Sequence, residues 1–98
     1  MAFVQLIDYR TTEPDEVSRL LDEWIAASKG KRTASRTTVC RDRDDATRYI
    51  EILVFPSYEE AMANSNLPET NNIHDRFVEL CTEPPTFVNL DVLREEWL

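Results

Sequence analysis

His74, the only histidine in the chain, and Glu51, a lone carboxylate within an apolar run, are the two groups best suited to moving a proton. An imidazole can act as a general base near neutral pH or as an axial metal ligand. On a helix His74 shares a stripe with Val78 and Cys81, beside Ile73 and Phe77, which puts it at the border of core and cleft. Glu51 lies within Arg48-Tyr49-Ile50-Glu51-Ile52-Leu53-Val54-Phe55. Alternation along a strand puts it on one side with Tyr49, Leu53 and Phe55. Apolar surroundings raise a carboxyl pKa, so Glu51 could take a phenolic or enolic proton. Gln5 and Asn89 could orient a ligand carbonyl or hold an enolate, and Tyr9 and Tyr49 could offer hydroxyls. Structural roles compete with each of these. His74 could bond a backbone carbonyl or Asp75, Glu51 could pair with Arg36 or Arg10, the two amides could bridge an interface, and the tyrosines could simply pack.

Other chemistries find no support. Asp42, Asp44 and Asp45 lack the Gly and terminal bidentate Glu of a calcium loop and read as a solvated turn. With Gly30 as its only glycine, the chain has no Gly-rich phosphate or dinucleotide loop, and no Gly-x-Ser-x-Gly motif is present. Cys40 and Cys81 form no CxxC pair and read as reduced thiols, so neither a metal nor a cofactor is expected.

The elements that must position these groups follow from periodicity. Ala2 to Arg10 reads as a first strand. Thr11-Thr12-Glu13-Pro14-Asp15 is a helix start, and Val17, Leu20, Leu21, Trp24 and Ile25 give one apolar stripe as far as about Lys29, with Gly30 at the C-terminal end. Arg32 to Arg41 reads as an edge strand, Arg48 to Phe55 as a central one. A helical region from Tyr58 to Cys81 is interrupted at Asn66-Leu67-Pro68, and its second piece carries Ile73, Phe77 and Leu80 on the core side. After Glu83-Pro84-Pro85 comes a last strand, Thr86 to Leu93. The tail ends in Trp97-Leu98, an apolar pair expected to dock on a neighbour.

The order β-α-β-β-α-β predicts an α+β, ferredoxin-like fold: one domain over residues 1–98, with a four-stranded antiparallel sheet and the helices on one face. Both sheet faces are apolar. The aliphatic set of Val4, Leu6, Ile50, Ile52, Val54, Val88, Leu90 and Val92 is expected to face the helices. Phe3, Gln5, Ile7, Tyr9, Tyr49, Glu51, Leu53, Phe55, Phe87, Asn89 and Asp91 are then left on the open face. Such a face exceeds the apolar patch that a monomer tolerates. A homodimer through the open faces is therefore expected, enclosing a pocket for a small aromatic or apolar ligand. Binding is assigned to Gln5, Ile7, Tyr9, Tyr49, Leu53, Phe55, Phe87 and Asn89, and catalysis to His74 and Glu51.

The chain carries 19 acidic and 11 basic side chains, a formal charge of −8, which argues against nucleic acid and anionic membranes as partners. Asp8 and Arg10 interrupt the first apolar stretch too early for a secretory signal, and no apolar run approaches a membrane span, so a cytoplasmic location is expected.

The element order and the segment Ile50-Glu51-Ile52-Leu53-Val54-Phe55-Pro56-Ser57-Tyr58-Glu59-Glu60-Ala61-Met62, followed by a helix with its histidine, resemble the dimeric α/β-barrel superfamily, in particular its antibiotic-biosynthesis-monooxygenase-like branch. The shared pattern is an aromatic-ended strand and then Ser-x-x-x-Ala at the helix start. The resemblance covers nearly the whole chain and implies a small-molecule site, with cofactor-independent oxygenation or enolisation of an aromatic or polycyclic substrate as one activity. Members without known activity leave open a non-catalytic binding or structural dimer. Haem-degrading members use an Asn, a Trp and a His at positions where this chain has Gln5, Ser65 and His74. Only the histidine matches, which disfavours haem.

Overall fold

The computed structural model, which describes residues 2–98, runs β1 (Phe3–Arg10), α1 (Pro14–Ala27), β2 (Arg36–Arg41), β3 (Arg48–Phe55), α2 (Tyr58–Ser65), α3 (Pro68–Leu80) and β4 (Thr86–Asp91). The strands form one sheet in the order β2-β3-β1-β4 with every neighbouring pair antiparallel. This is the expected ferredoxin-like arrangement, with the helical region split in two.

Local chemistry explains where the elements begin and end. Pro14 opens α1, with Asp15 and Glu16 in a first turn whose free amides favour negative charge. Thr11 does not cap the helix. Its hydroxyl donates to the Leu80 carbonyl at 2.7 Å and accepts from the Glu13 amide, tying the end of β1 to the end of α3. Gly30 has φ +79°, a left-handed conformation that reverses the chain after α1. Ser57 caps α2 by accepting from the Glu60 amide at 3.1 Å, and Pro68 opens α3. Five bounds differ from expectation: β1 begins at Phe3, α1 stops at Ala27, β2 begins at Arg36, α3 stops at Leu80, and β4 ends at Asp91, although the Val92 amide still donates to the Ala2 carbonyl at 3.0 Å.

The larger correction concerns the two sheet faces. The buried core is Phe3, Ile7, Tyr9, Leu53 and Phe55 from the sheet with Leu20, Trp24, Ala61 and Phe77 from the helices. The aromatic face therefore lies under the helices, and the aliphatic face of Val4, Leu6, Ile50, Ile52, Val54, Val88 and Leu90 is the open one. Side-chain length accounts for this. A helix layer stands roughly 10 Å from its sheet, and rings reach across that gap where Val and Ile do not. The charges agree, because Asp8, Arg10 and Arg48 alternate in phase with the aliphatic set and would have been buried under the helices in the other arrangement. On the open face Arg48 instead bonds Asp8 at 2.7 Å and Asp42 at 3.0 Å, while Arg10 pairs with Asp45 and Glu83. Leu90 on that face is 42% exposed, against 2% for Phe3 beneath the helices.

Candidate functional site

Register fixes the floor of the site. On the helix-covered face, Thr37, Leu53, Gln5 and Asn89 form one row across β2, β3, β1 and β4. Val39, Glu51, Ile7 and Phe87 form the next, and Tyr49 and Tyr9 the third. Short aliphatic side chains alternate there with rings and polar groups, so the sheet and the helix layer cannot mesh everywhere. A cavity of about 450 Å³ remains between them. Leu20, Leu21 and Trp24 of α1 and Ile73, His74 and Phe77 of α3 wall it opposite the sheet, and Asn64 and Ser65 contribute from α2.

Both proton-transfer candidates line this one cavity. Glu51 is partly buried and accepts from the Thr37 hydroxyl at 2.5 Å, not from Arg36 or Arg10. Burial pushes its carboxyl above the usual range, and the Thr37 hydrogen bond opposes that rise. His74 occupies a more open position, with its side chain 47% exposed, its ring 5.5 Å from Phe87 and its Nδ1 3.6 Å from the Asp75 carboxylate. The expected border position is thus the one it takes, with Asp75 and a ring as neighbours.

The remaining expected residues divide. Gln5, Ile7, Tyr9, Tyr49, Leu53 and Phe87 line the cavity. Tyr9 is 3% exposed, stacked on Tyr49 at 5.6 Å and edge-on to Phe77 at 4.9 Å; burial, and then the nearby Glu51 carboxylate, push its phenol upward. Phe55 does not reach the cavity; it is 2% exposed and packs on Phe3. Asn89 also lies outside the lining, where its Oδ1 accepts from Gln5 Nε2 at 3.1 Å, so it holds an amide that does face the cavity. These residues lie on the face of the sheet that the subunit's own helices cover, with Phe87 and Asn89 exposed at its β4 edge, and the expectation that they sit on an open face is corrected.

Sequence reasoning passed over several lining residues. Asn64 is 5% exposed, and its Oδ1 accepts from the Thr33 amide at 3.3 Å, which turns the amide nitrogen toward other partners. It follows Ala61 by three residues on the same helix face, a polar residue on a buried stripe, and that spacing was the available signal. Trp24 was assigned to the core, yet it walls the cavity with its Nε1 donating to Thr70 Oγ1 at 3.0 Å. Of the positions matched to haem degradation, Gln5, Ser65 and His74 all line the cavity. Ser65 turns its hydroxyl back to the Ala61 carbonyl at 3.1 Å and supplies no bulky wall, so the residues present do not fit a haem. Cys40 is exposed, Cys81 partly buried, and both are free.

No family model matches the chain, and no curated protein matches it in sequence. Solved structures do match it in shape. SnoaB, a cofactor-independent oxygenase from Streptomyces nogalater, superposes with a TM-score of 0.80 at 15% identity, over 96% of this chain and 95% of that one. A crystal structure described as an antibiotic biosynthesis monooxygenase gives 0.74 at 16% identity, over 96% of this chain and 100% of that one. A conserved protein from Methanosarcina mazei Go1 gives 0.80 at 8% identity, over 92% and 91%. No helix of the described residues is long and apolar enough to cross a membrane. The chain has the ferredoxin-like fold of the antibiotic-biosynthesis-monooxygenase-like proteins.

Proposed function

We propose that this chain is a cofactor-independent monooxygenase, or a related enolising enzyme, of an aromatic or polycyclic substrate, and that it works as a homodimer joined through its open sheet faces. The observation that carries the reading is Glu51, a carboxyl raised by burial and held by Thr37 in a cavity whose other polar groups are mostly amides and hydroxyls. The fold shared with a protein described as a cofactor-independent oxygenase supports the reaction class.

In this reading an activated C–H or phenolic proton of the substrate passes to Glu51. Gln5 and Asn64 hold the oxygen on which the negative charge settles. The delocalised anion reduces molecular oxygen and forms a hydroperoxide at its own carbon. Loss of water then leaves a carbonyl, so one CH₂ and one O₂ give one C=O and one H₂O. His74, nearer the opening, accepts or returns protons there.

The test is oxygen uptake with a hydroxyanthrone in chelator-treated, flavin-free buffer, followed by quinone absorbance. Glu51→Gln is expected to slow turnover by about 100-fold, within the range of a lost general base. An unchanged rate removes Glu51 from that role. Tight binding of the anthrone without oxygen uptake or exchange of its acidic hydrogen favours a non-catalytic binding module. That second reading draws on Gln5 already being engaged by Asn89.

The open faces supply the dimer argument. Val4, Leu6, Ile50, Ile52, Val54, Val88 and Leu90 form an apolar surface over β3, β1 and β4, bordered at one end by the Asp8–Arg48 and Arg10–Asp45 pairs and along the edge strand β2 by Arg36 and Thr38. Such a continuous patch is unusual on a monomer.

A further inference from the structure

The formal charges lining the cavity are one carboxyl, Glu51, and one imidazole, His74; no lysine or arginine lines it among the described residues. Most cations near the cavity in sequence or register are engaged elsewhere. Arg10 and Arg48 point to the opposite face of the sheet, in their pairs with Asp45 and Asp8. Arg76 bonds Glu23 at 2.6 Å between α3 and α1, and Lys31, in the turn after α1, bonds Glu69 of α3 at 2.6 Å. Arg41, opposite Tyr49 in the register, is exposed on the edge strand and outside the lining. The one imidazole stands beside the Asp75 carboxylate, which offsets any positive charge it carries.

We propose that the cavity selects an uncharged aromatic ligand bearing hydroxyl or keto groups and rejects the same ring system carrying a carboxylate. This rests on the reading above that the cavity is the ligand site. Hydroxyl and keto groups find both donors and acceptors in Gln5, Asn64 and Asn71. A carboxylate would lose its hydration without gaining a cation and would be brought toward Glu51, a like charge. The net charge of −8 works the same way at a distance, lowering the local concentration of anions.

The experiment is calorimetric titration of the full chain with dihydroxyanthraquinone and with its ring-carboxylate derivative, at matched ionic strength. The neutral probe is expected to bind tighter by at least about 10-fold, the discrimination expected when a buried charge goes unpaired. Glu51→Gln should narrow that ratio through better binding of the carboxylate. Equal or tighter binding of the carboxylate by the wild type overturns the selectivity and leaves the ligand-site reading standing. Binding of neither probe overturns both. Preference for the neutral probe without any turnover of hydroxyanthrone keeps the selectivity and removes the oxygenase.

Discussion

The two faces of this sheet are built from the same strands and differ in almost every physical respect. The helix-covered face mixes Phe3, Tyr9, Tyr49 and Phe55 with Gln5, Glu51 and Thr37, and its packing against α1 and α3 leaves a cavity. The open face is a run of aliphatic side chains of similar size over β3, β1 and β4, with its charges at the margins, Asp8, Arg10 and Arg48 at one end and Arg36 on the edge strand at the other. Uneven side chains of mixed polarity can enclose space and point hydrogen-bonding groups into it. Even ones make a smooth surface that fits another smooth surface. The proposed chemistry and the proposed association fall on opposite sides of one four-stranded layer, and a change on one side should leave the other side's property intact.

The largest effect should come from charging the open face. Leu6 sits on the central strand β1 between Ile52 and Val88. Leu6→Asp is expected to turn the proposed dimer into a monomer at micromolar concentration, because two carboxylates would be buried at the contact without partners. Sedimentation equilibrium reads the mass, and the affinity for the neutral anthraquinone should change by less than about threefold, as expected of an alteration outside the site. A wild-type mass of one subunit would end the dimer proposal.

A cut on the covered side should give the converse pattern. Phe77 is 9% exposed, packs edge-on to Tyr9 and walls the cavity. Phe77→Ala should lower unfolding stability by about 3 kcal/mol, near the low end for a buried ring because the site already borders open space. Ligand affinity should fall with it while the mass stays that of the wild type. Denaturant unfolding and sedimentation on the same sample make the comparison. Loss of mass in Phe77→Ala would show that the two faces are coupled.

How much of this was readable beforehand divides along the same line. Helix starts at Pro14 and Pro68, the break at Asn66-Leu67-Pro68 and the left-handed Gly30 follow from local sterics, which a short window of sequence contains. The partition of each strand into two residue sets was also legible, because alternation is a property of the strand alone. Which set meets the helices was not fixed by hydrophobicity, since both are apolar. The choice depends on which face the right-handed crossovers cover and on side-chain reach. Asp8, Arg10 and Arg48 carried that information, being charged residues in phase with the aliphatic set. Glu51, Gln5 and His74 converge because three elements distant in sequence come together, and their residue types alone marked them. Asn64 and Thr37 escaped notice because their importance lies in geometry: one is a buried amide on a short helix, the other a hydroxyl on an edge strand, 2.5 Å from Glu51.

The smallest predicted effect belongs to that hydroxyl. Burial raises the Glu51 carboxyl and the Thr37 hydrogen bond holds it down, so Thr37→Val should raise it further. Solvent from the cavity replaces part of the lost bond, so the rise is smaller than the full worth of that bond. A carboxyl raised on folding binds its proton more tightly in the native state. Its stabilising contribution is therefore complete below the unfolded value of about 4.5 and declines as pH rises through the folded value. In Thr37→Val that decline should start at the same pH, extend to higher pH and go deeper, and in Glu51→Gln it should vanish. Activity that needs the carboxylate should move in step, its rising acid limb displaced upward by the same interval. Unfolding midpoints and anthrone turnover, each followed from pH 4 to pH 9, test both displacements. A shift of the stability curve with no shift of the rate profile would assign Thr37 and Glu51 to the sheet alone, and the proton acceptor would then have to be sought at the other end of the cavity, at His74.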